Sequence, residues 1–97
     1  MPAYMIGRLT IKNTDWLAEY QPKTQALVAK HGGKYIVAGA DFERLEGSGE
    51  PPNGLVVLEF PTRAAAEAWY NDPEYREMIA LRQTGADGEI FIAEGAG

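Results

Sequence analysis

Six residues, "LVVLEF" at Leu55–Phe60, narrow the choice of fold more than any other part of the chain. A run this short and apolar, bounded by turn residues, reads as a strand. Side chains alternate across a strand, so Val56, Leu58 and Phe60 share one face and Leu55, Val57 and Glu59 the other. Both faces therefore need apolar cover. The chain has 97 residues, one domain spanning 1–97. A chain of this size buries only about 60–65% of the surface its unfolded form exposes. Such a thin core leaves room for a partner subunit to complete it.

The flanking sequence supplies the rest of the architecture. "AYMIGRLTIK" reads as strand one and ends in the turn signal "NTD". Thr14 or Asp15 is expected to cap a helix that begins near Trp16. Leu17, Tyr20, Thr24, Leu27, Val28 and His31 recur at spacings of three and four, which is one helix face. Pro22 interrupts the pattern, and the favoured reading is that it opens the main helix at its first position. Gly32 and Gly33 end that helix. "KYIVAGA" is strand two, and "DFERLEGSGEPPNG" is a polar connection without periodicity. After strand three, Pro61-Thr62 opens a helix through "RAAAEAWYN". Asp72-Pro73-Glu74 is a second start signal, and "EYREMIALRQ" continues as helix. "TGADGE" turns the chain into strand four, "EIFIAE". The order β-α-β-β-α-β is the ferredoxin-like α+β arrangement, a four-stranded antiparallel sheet with its helices on one face.

The uncovered face decides the assembly. It is expected to carry Tyr4, Ile6, Tyr35, Val37, Leu55, Val57 and Phe91, an apolar patch too large for a monomer. Sheet-on-sheet pairing into a homodimer covers it. Arg8 and Glu59 fall on the same face. They are expected to form an ion pair there or to mark the polar contacts of a ligand pocket between the sheets.

Charge and composition exclude several functions. Fourteen acidic against nine basic residues give a net charge of −5. Phosphate contacts need clustered Lys and Arg, so neither a nucleic acid nor an anionic membrane is an expected partner. No cysteine is present, which removes disulfides, thiol catalysis and thiolate metal sites. A single histidine leaves no two-histidine metal pattern, and there is no GxGxxG, P-loop or nucleophile elbow. No cofactor is expected. The opening "MPAYMIGRLTIKN" lacks the pattern of a signal peptide, and no apolar run reaches the length of a membrane span, so a cytoplasmic protein is expected.

His31-Gly32-Gly33, Glu46-Gly47, Glu59-Phe60-Pro61, Ala66, Trp69-Tyr70, Pro73, Tyr75 and Arg82 form a specific combination over nearly the whole chain. In these residues the chain resembles the domain-of-unknown-function family numbered 1330, of the dimeric α/β-barrel superfamily. The resemblance implies a ferredoxin-like protomer that pairs sheet to sheet. Other branches of the superfamily include cofactor-free monooxygenases, lactone isomerases, dehalogenases and haem-degrading enzymes, a likeness of fold alone.

His31 is the only histidine, a residue type suited to acid/base work near neutral pH, and it equally suits a helix C-terminus, where a cation meets the dipole. Three readings follow. In the first, the protein is a cofactor-free acid/base enzyme acting on a small carbonyl or aromatic metabolite in a pocket of the dimer. His31 carries the proton, Glu46 or Glu59 orients it, and Arg8 or Arg82 contacts an anion. Tyr35, Trp69 and Tyr75 complete the substrate contacts, Tyr75 and Arg82 being seven residues apart on one helix face. In the second, the same pocket sequesters a small lipophilic acid without chemistry. In the third, the dimer core is filled and the protein is structural or an interaction module.

Overall fold

The computed structural model describes residues 1–96. The chain runs β1 (Ala3–Ile11), α1 (Leu17–Lys30), β2 (Lys34–Gly39), β3 (Gly54–Phe60), α2 (Arg63–Asn71), α3 (Pro73–Arg82) and β4 (Ala86–Glu94). The strands form one antiparallel sheet in the order β2-β3-β1-β4, which is the ferredoxin-like topology. β4 starts at Ala86, three residues before Glu89, because Ala86–Gly88 continue the ladder opposite Leu9–Ile11.

The register fixes what each face carries. Met5, Gly7 and Leu9 stand opposite Leu58, Val56 and Gly54 on one side and Ile92, Ile90 and Gly88 on the other. This is the helix-covered face. Its core joins Met5, Leu58 and Phe60 to Leu27, Val28, Ala66, Trp69, Tyr75, Met78 and Ile79. On the opposite face, Ile6 stands between Val57 and Phe91, and Val57 also faces Val37. One apolar row thus crosses all four strands, with Val37 and Phe91 about half exposed in the single chain.

Three expectations are corrected here. Period-two alternation puts Tyr35 and Val37 together, but the pairing passes from Tyr35↔Leu58 to Val37↔Val57. The extra residue, Ile36, is a bulge, and a bulge flips the side chains before it relative to those after it. Tyr35 therefore lies with Leu58 on the helix side. Second, α1 is one helix with Pro22 inside it, not a helix opened by Pro22. The carbonyl left without a donor belongs to Ala18, and Ala18 and Pro22 are both exposed. Both lie on the solvent side of the helix, while Thr24, Leu27 and Val28 hold the buried side in place. Neither Thr14 nor Asp15 caps α1; Trp16 occupies that position without a side-chain cap.

The other helix ends follow their sequence signals. Thr62 Oγ1 accepts from the Ala65 N–H at 3.0 Å. Asp72 Oδ1 accepts from the Glu74 N–H at 3.0 Å, with Pro73 at the first helical position. At the end of α1, Gly33 N–H reaches the Val28 carbonyl at 2.9 Å and Gly32 N–H the Ala29 carbonyl at 3.0 Å. This double closure is a Schellman motif, and Gly32 adopts the required left-handed φ of +79°. Gly33 serves a different purpose. A Cβ there would lie 2.6 Å from the Phe60 ring, so the glycine admits close contact with a core aromatic.

Among the described residues, no helix is long and apolar enough to cross a membrane.

Candidate functional site

A cavity of about 320 Å³ lies between α1 and the sheet. Its floor is the stretch where the helix-covered face has little side chain to offer, at Gly7 and Gly54. Its outer wall is the first half of α1, where Trp16, Tyr20 and Thr24 follow at four-residue spacing. Trp69, Tyr75 and Arg82, from the second pair of helices, form the inner wall, and Tyr35 borders it from the edge strand. The lining is mostly apolar with a few polar groups, the composition of small-molecule sites.

Those polar groups are specific. Trp69 stacks on Tyr75 with ring centroids 4.2 Å apart. The Tyr75 and Tyr20 hydroxyls are 2.8 Å apart, one donating to the other. Three buried polar atoms have no hydrogen-bond partner among the described residues, namely Thr24 Oγ1, Trp69 Nε1 and Arg82 Nε. All three belong to residues that line this cavity. Buried polar atoms are nearly always paired, so three unpartnered ones in residues that line one cavity set this region apart from the rest of the core. Burial pushes the Tyr35 hydroxyl up to about 12, and burial followed by the neighbouring Tyr20 pushes that of Tyr75 up as well. Both are neutral donors at physiological pH.

Of the residues singled out in the sequence, Tyr35, Trp69, Tyr75 and Arg82 border this cavity, while His31, Glu46, Glu59 and Arg8 do not. Arg8 and Glu59 share the opposite face but do not pair. Arg8 Nη1 binds Glu89 Oε1 at 2.9 Å. Glu59 accepts from the Tyr4 hydroxyl at 3.2 Å, and Lys34 approaches it at 3.4 Å. The register explains this, because Tyr4 stands directly opposite Glu59, whereas Arg8 stands opposite Leu55. Glu46 is exposed on the connection between β2 and β3.

His31 has a partner the sequence did not suggest. Its Nε2 donates to Asp72 Oδ2 at 2.8 Å, and Lys30 Nζ donates to the same oxygen at 3.0 Å. One buried carboxylate thus caps α3 with Oδ1 and ties down the end of α1 with Oδ2. The His31 hydrogen bond, followed by those from Lys30 and the Glu74 N–H, holds the Asp72 carboxyl at about 2, below its ordinary 3.8. The folded-state value is depressed, so this contribution to stability is complete above the ordinary value. It is lost as pH falls from about 4 toward 2. Asp72→Asn is therefore expected to flatten the acid limb of thermal stability in that window. His31→Ala is expected to lower Tm by several degrees at neutral pH and to leave ligand binding in the cavity unchanged. Scanning calorimetry across pH, with a binding titration on each variant, checks both. A loss of binding in His31→Ala without loss of Tm would return His31 to the site.

Two features went unmarked in the sequence. Asp72 carried a cap signal but nothing that paired it with His31. Thr24 showed only as a hydroxyl on an otherwise apolar helix face, and that oddity was the available clue. Among the described residues no three His, Asp or Glu side chains gather into a group that could hold a metal ion.

The family model for the Domain of unknown function (DUF1330) matches residues 2–96. The chain belongs to this family. No curated protein matches it. The DUF1330 chain is similar to several solved structures. A protein of unknown function from Rhodopseudomonas palustris is 22% identical with a TM-score of 0.80, covering 99% of this chain and 83% of that one. A dimeric ferredoxin-like protein of unknown function from Jannaschia sp. CCS1 is 14% identical with a TM-score of 0.73, covering 98% of this chain and 100% of that one. SnoaB, a cofactor-independent oxygenase from Streptomyces nogalater, is 13% identical with a TM-score of 0.68, covering 99% of this chain and 94% of that one. At these identities the likeness is one of fold.

Proposed function

We propose that this DUF1330 protein is a homodimer that binds a small lipophilic or carbonyl-bearing metabolite, one molecule in the helix-side cavity of each protomer. The single observation that carries the reading is a mostly apolar cavity of about 320 Å³ whose lining includes the three residues with an unpartnered buried polar atom. The cavity lies on the helix side of the sheet, not between paired sheets as expected from the sequence. A filled dimer core and an open ligand site are compatible in this arrangement.

The homodimer is supported by the apolar row Val37–Val57–Ile6–Phe91. It is supported too by the dimeric state stated for the Jannaschia protein and for a similarly folded protein from Bacteroides fragilis.

Binding fits the chemistry of the cavity better than acid/base turnover does. Its titratable side chains are Tyr20, Tyr35, Tyr75 and Arg82, with no carboxylate or imidazole among its lining residues. Arg has no proton to accept, and Tyr35 and Tyr75 are held protonated. The walls offer donors, which suit an oxygen acceptor on the ligand.

Trp16 and Trp69 both border the cavity, so tryptophan fluorescence reports its occupancy. Titration with one- and two-ring compounds is expected to change that signal saturably. Ala38→Phe, which puts a bulky ring on an exposed edge strand beside the cavity, is expected to weaken binding about tenfold or more with the fold retained. Saturable binding that Ala38→Phe leaves untouched would move the site elsewhere. No binding by any compound would favour the structural or interaction reading.

A further inference from the structure

We propose that the ligand of this cavity is an organic monoanion, a compact apolar skeleton bearing one carboxylate or one acidic ring oxygen, and that Arg82 is the residue that selects for the charge. The inference rests on the cavity being a ligand site, and it names the chemical class that site takes. Arg82 is 4% exposed. A guanidinium stays charged at any physiological pH, and a buried charge is costly unless something of opposite sign meets it. The chain has fourteen acidic residues, yet among the described residues none forms a salt bridge with Arg82. Asp87, which borders a second opening that Arg82 also lines, is engaged by Lys12 Nζ at 2.8 Å. Among the described residues Arg82 is thus a buried cation without a carboxylate partner, and an anionic ligand group would supply one.

The surroundings fit that use. β4 carries Gly88 beside the guanidinium, where a Cβ would lie 2.6 Å from Leu9 Cδ2 and 3.3 Å from Arg82 Nη1, so the glycine makes room for both side chains. The other two orphaned atoms of the cavity, the Trp69 indole N–H and the Thr24 hydroxyl, are neutral donors that bond an anion's oxygens without needing a proton in return. The rest of the lining, including Leu9, Ile11, Leu17 and Val56, offers no second charge. One anionic oxygen group and an apolar remainder is therefore the ligand these walls complement, whereas a dianion or a sugar leaves polar groups unmet.

The test compares 2-naphthoate with 2-naphthamide, which match in size and differ in charge, by fluorescence titration of the unaltered protein and of Arg82→Met and Arg82→Lys. The unaltered protein is expected to prefer naphthoate by about tenfold or more, the effect of one charge-assisted hydrogen bond. Arg82→Met is expected to abolish the preference, weakening naphthoate about tenfold more than the amide, and Arg82→Lys to restore part of it. Equal affinity of the unaltered protein for the two compounds overturns the assignment while leaving the cavity as a ligand site. That comparison decides the matter even if Arg82→Met does not fold. Equal weakening of both compounds in a folded Arg82→Met also overturns it. Binding of neither compound overturns both the assignment and the site.

Discussion

Val57→Lys is expected to convert the protein from dimer to monomer at micromolar concentration, with its secondary structure unchanged. Val57 sits on a central strand, opposite Ile6 on one side and Val37 on the other, within the one apolar row that crosses the sheet. In a sheet-on-sheet dimer this position lies near the middle of the interface. A lysine there must bury an unpaired ammonium, a penalty of several kcal/mol. Each ~1.4 kcal/mol weakens association about tenfold, so a tight dimer becomes undetectable. The helix-covered face, where Leu58 and Phe60 lie, is untouched by the change. Sedimentation velocity on both proteins reads the result. An unaltered protein that sediments as a monomer, or a Val57→Lys variant that remains dimeric, would falsify the proposed assembly.

Gly33→Ala is expected to destabilise the fold by about 1–3 kcal/mol, the usual cost of overpacking a closed core. Phe60 is fully buried and lies 5.5 Å from Trp69 between ring centroids, so it has little room to retreat from a methyl group 2.6 Å away. Gly32→Ala is expected to cost less, about 1 kcal/mol, because its strain is confined to one left-handed residue with 3.4 Å of clearance to Pro61. The order runs against the habit of treating the positive-φ glycine as the irreplaceable one. Urea unfolding of both variants gives the comparison through the midpoint at constant slope. A larger loss in Gly32→Ala means that Phe60 does yield and that the turn, not the close contact, limits the pair.

Local signals in the sequence carried the architecture. The caps at Thr62 and Asp72, the glycine pair after α1 and the alternation in β1, β3 and β4 each depend on residues a few positions apart, and each is where its pattern put it. The misreadings arise where one residue breaks a period or where distant residues meet. A single bulge at Ile36 moved Tyr35 to the other side of the sheet, and period-two alternation has no term for an inserted residue. Pro22 argued for a helix start on local grounds, and the buried side of α1 overrode it. His31 and Asp72 are 41 residues apart and meet only because α1 docks against α3. The candidate site was legible as residue types more than as a place. An aromatic pair and an arginine on the last helices were visible, but the missing side chains at Gly7 and Gly54 that open the cavity are a property of packing.

The alternation along β1 has an evolutionary consequence. Met5, Gly7 and Leu9 look toward the proposed ligand cavity, and Tyr4, Ile6 and Arg8 look toward the proposed partner subunit. Neighbouring residues thus meet different packing requirements, separated by the thickness of one backbone layer. A lineage can reshape what the protein holds by changing every second residue of a strand while its quaternary partnership stays under separate, conservative selection. Divergence of ligand ahead of assembly is the history such a sheet permits.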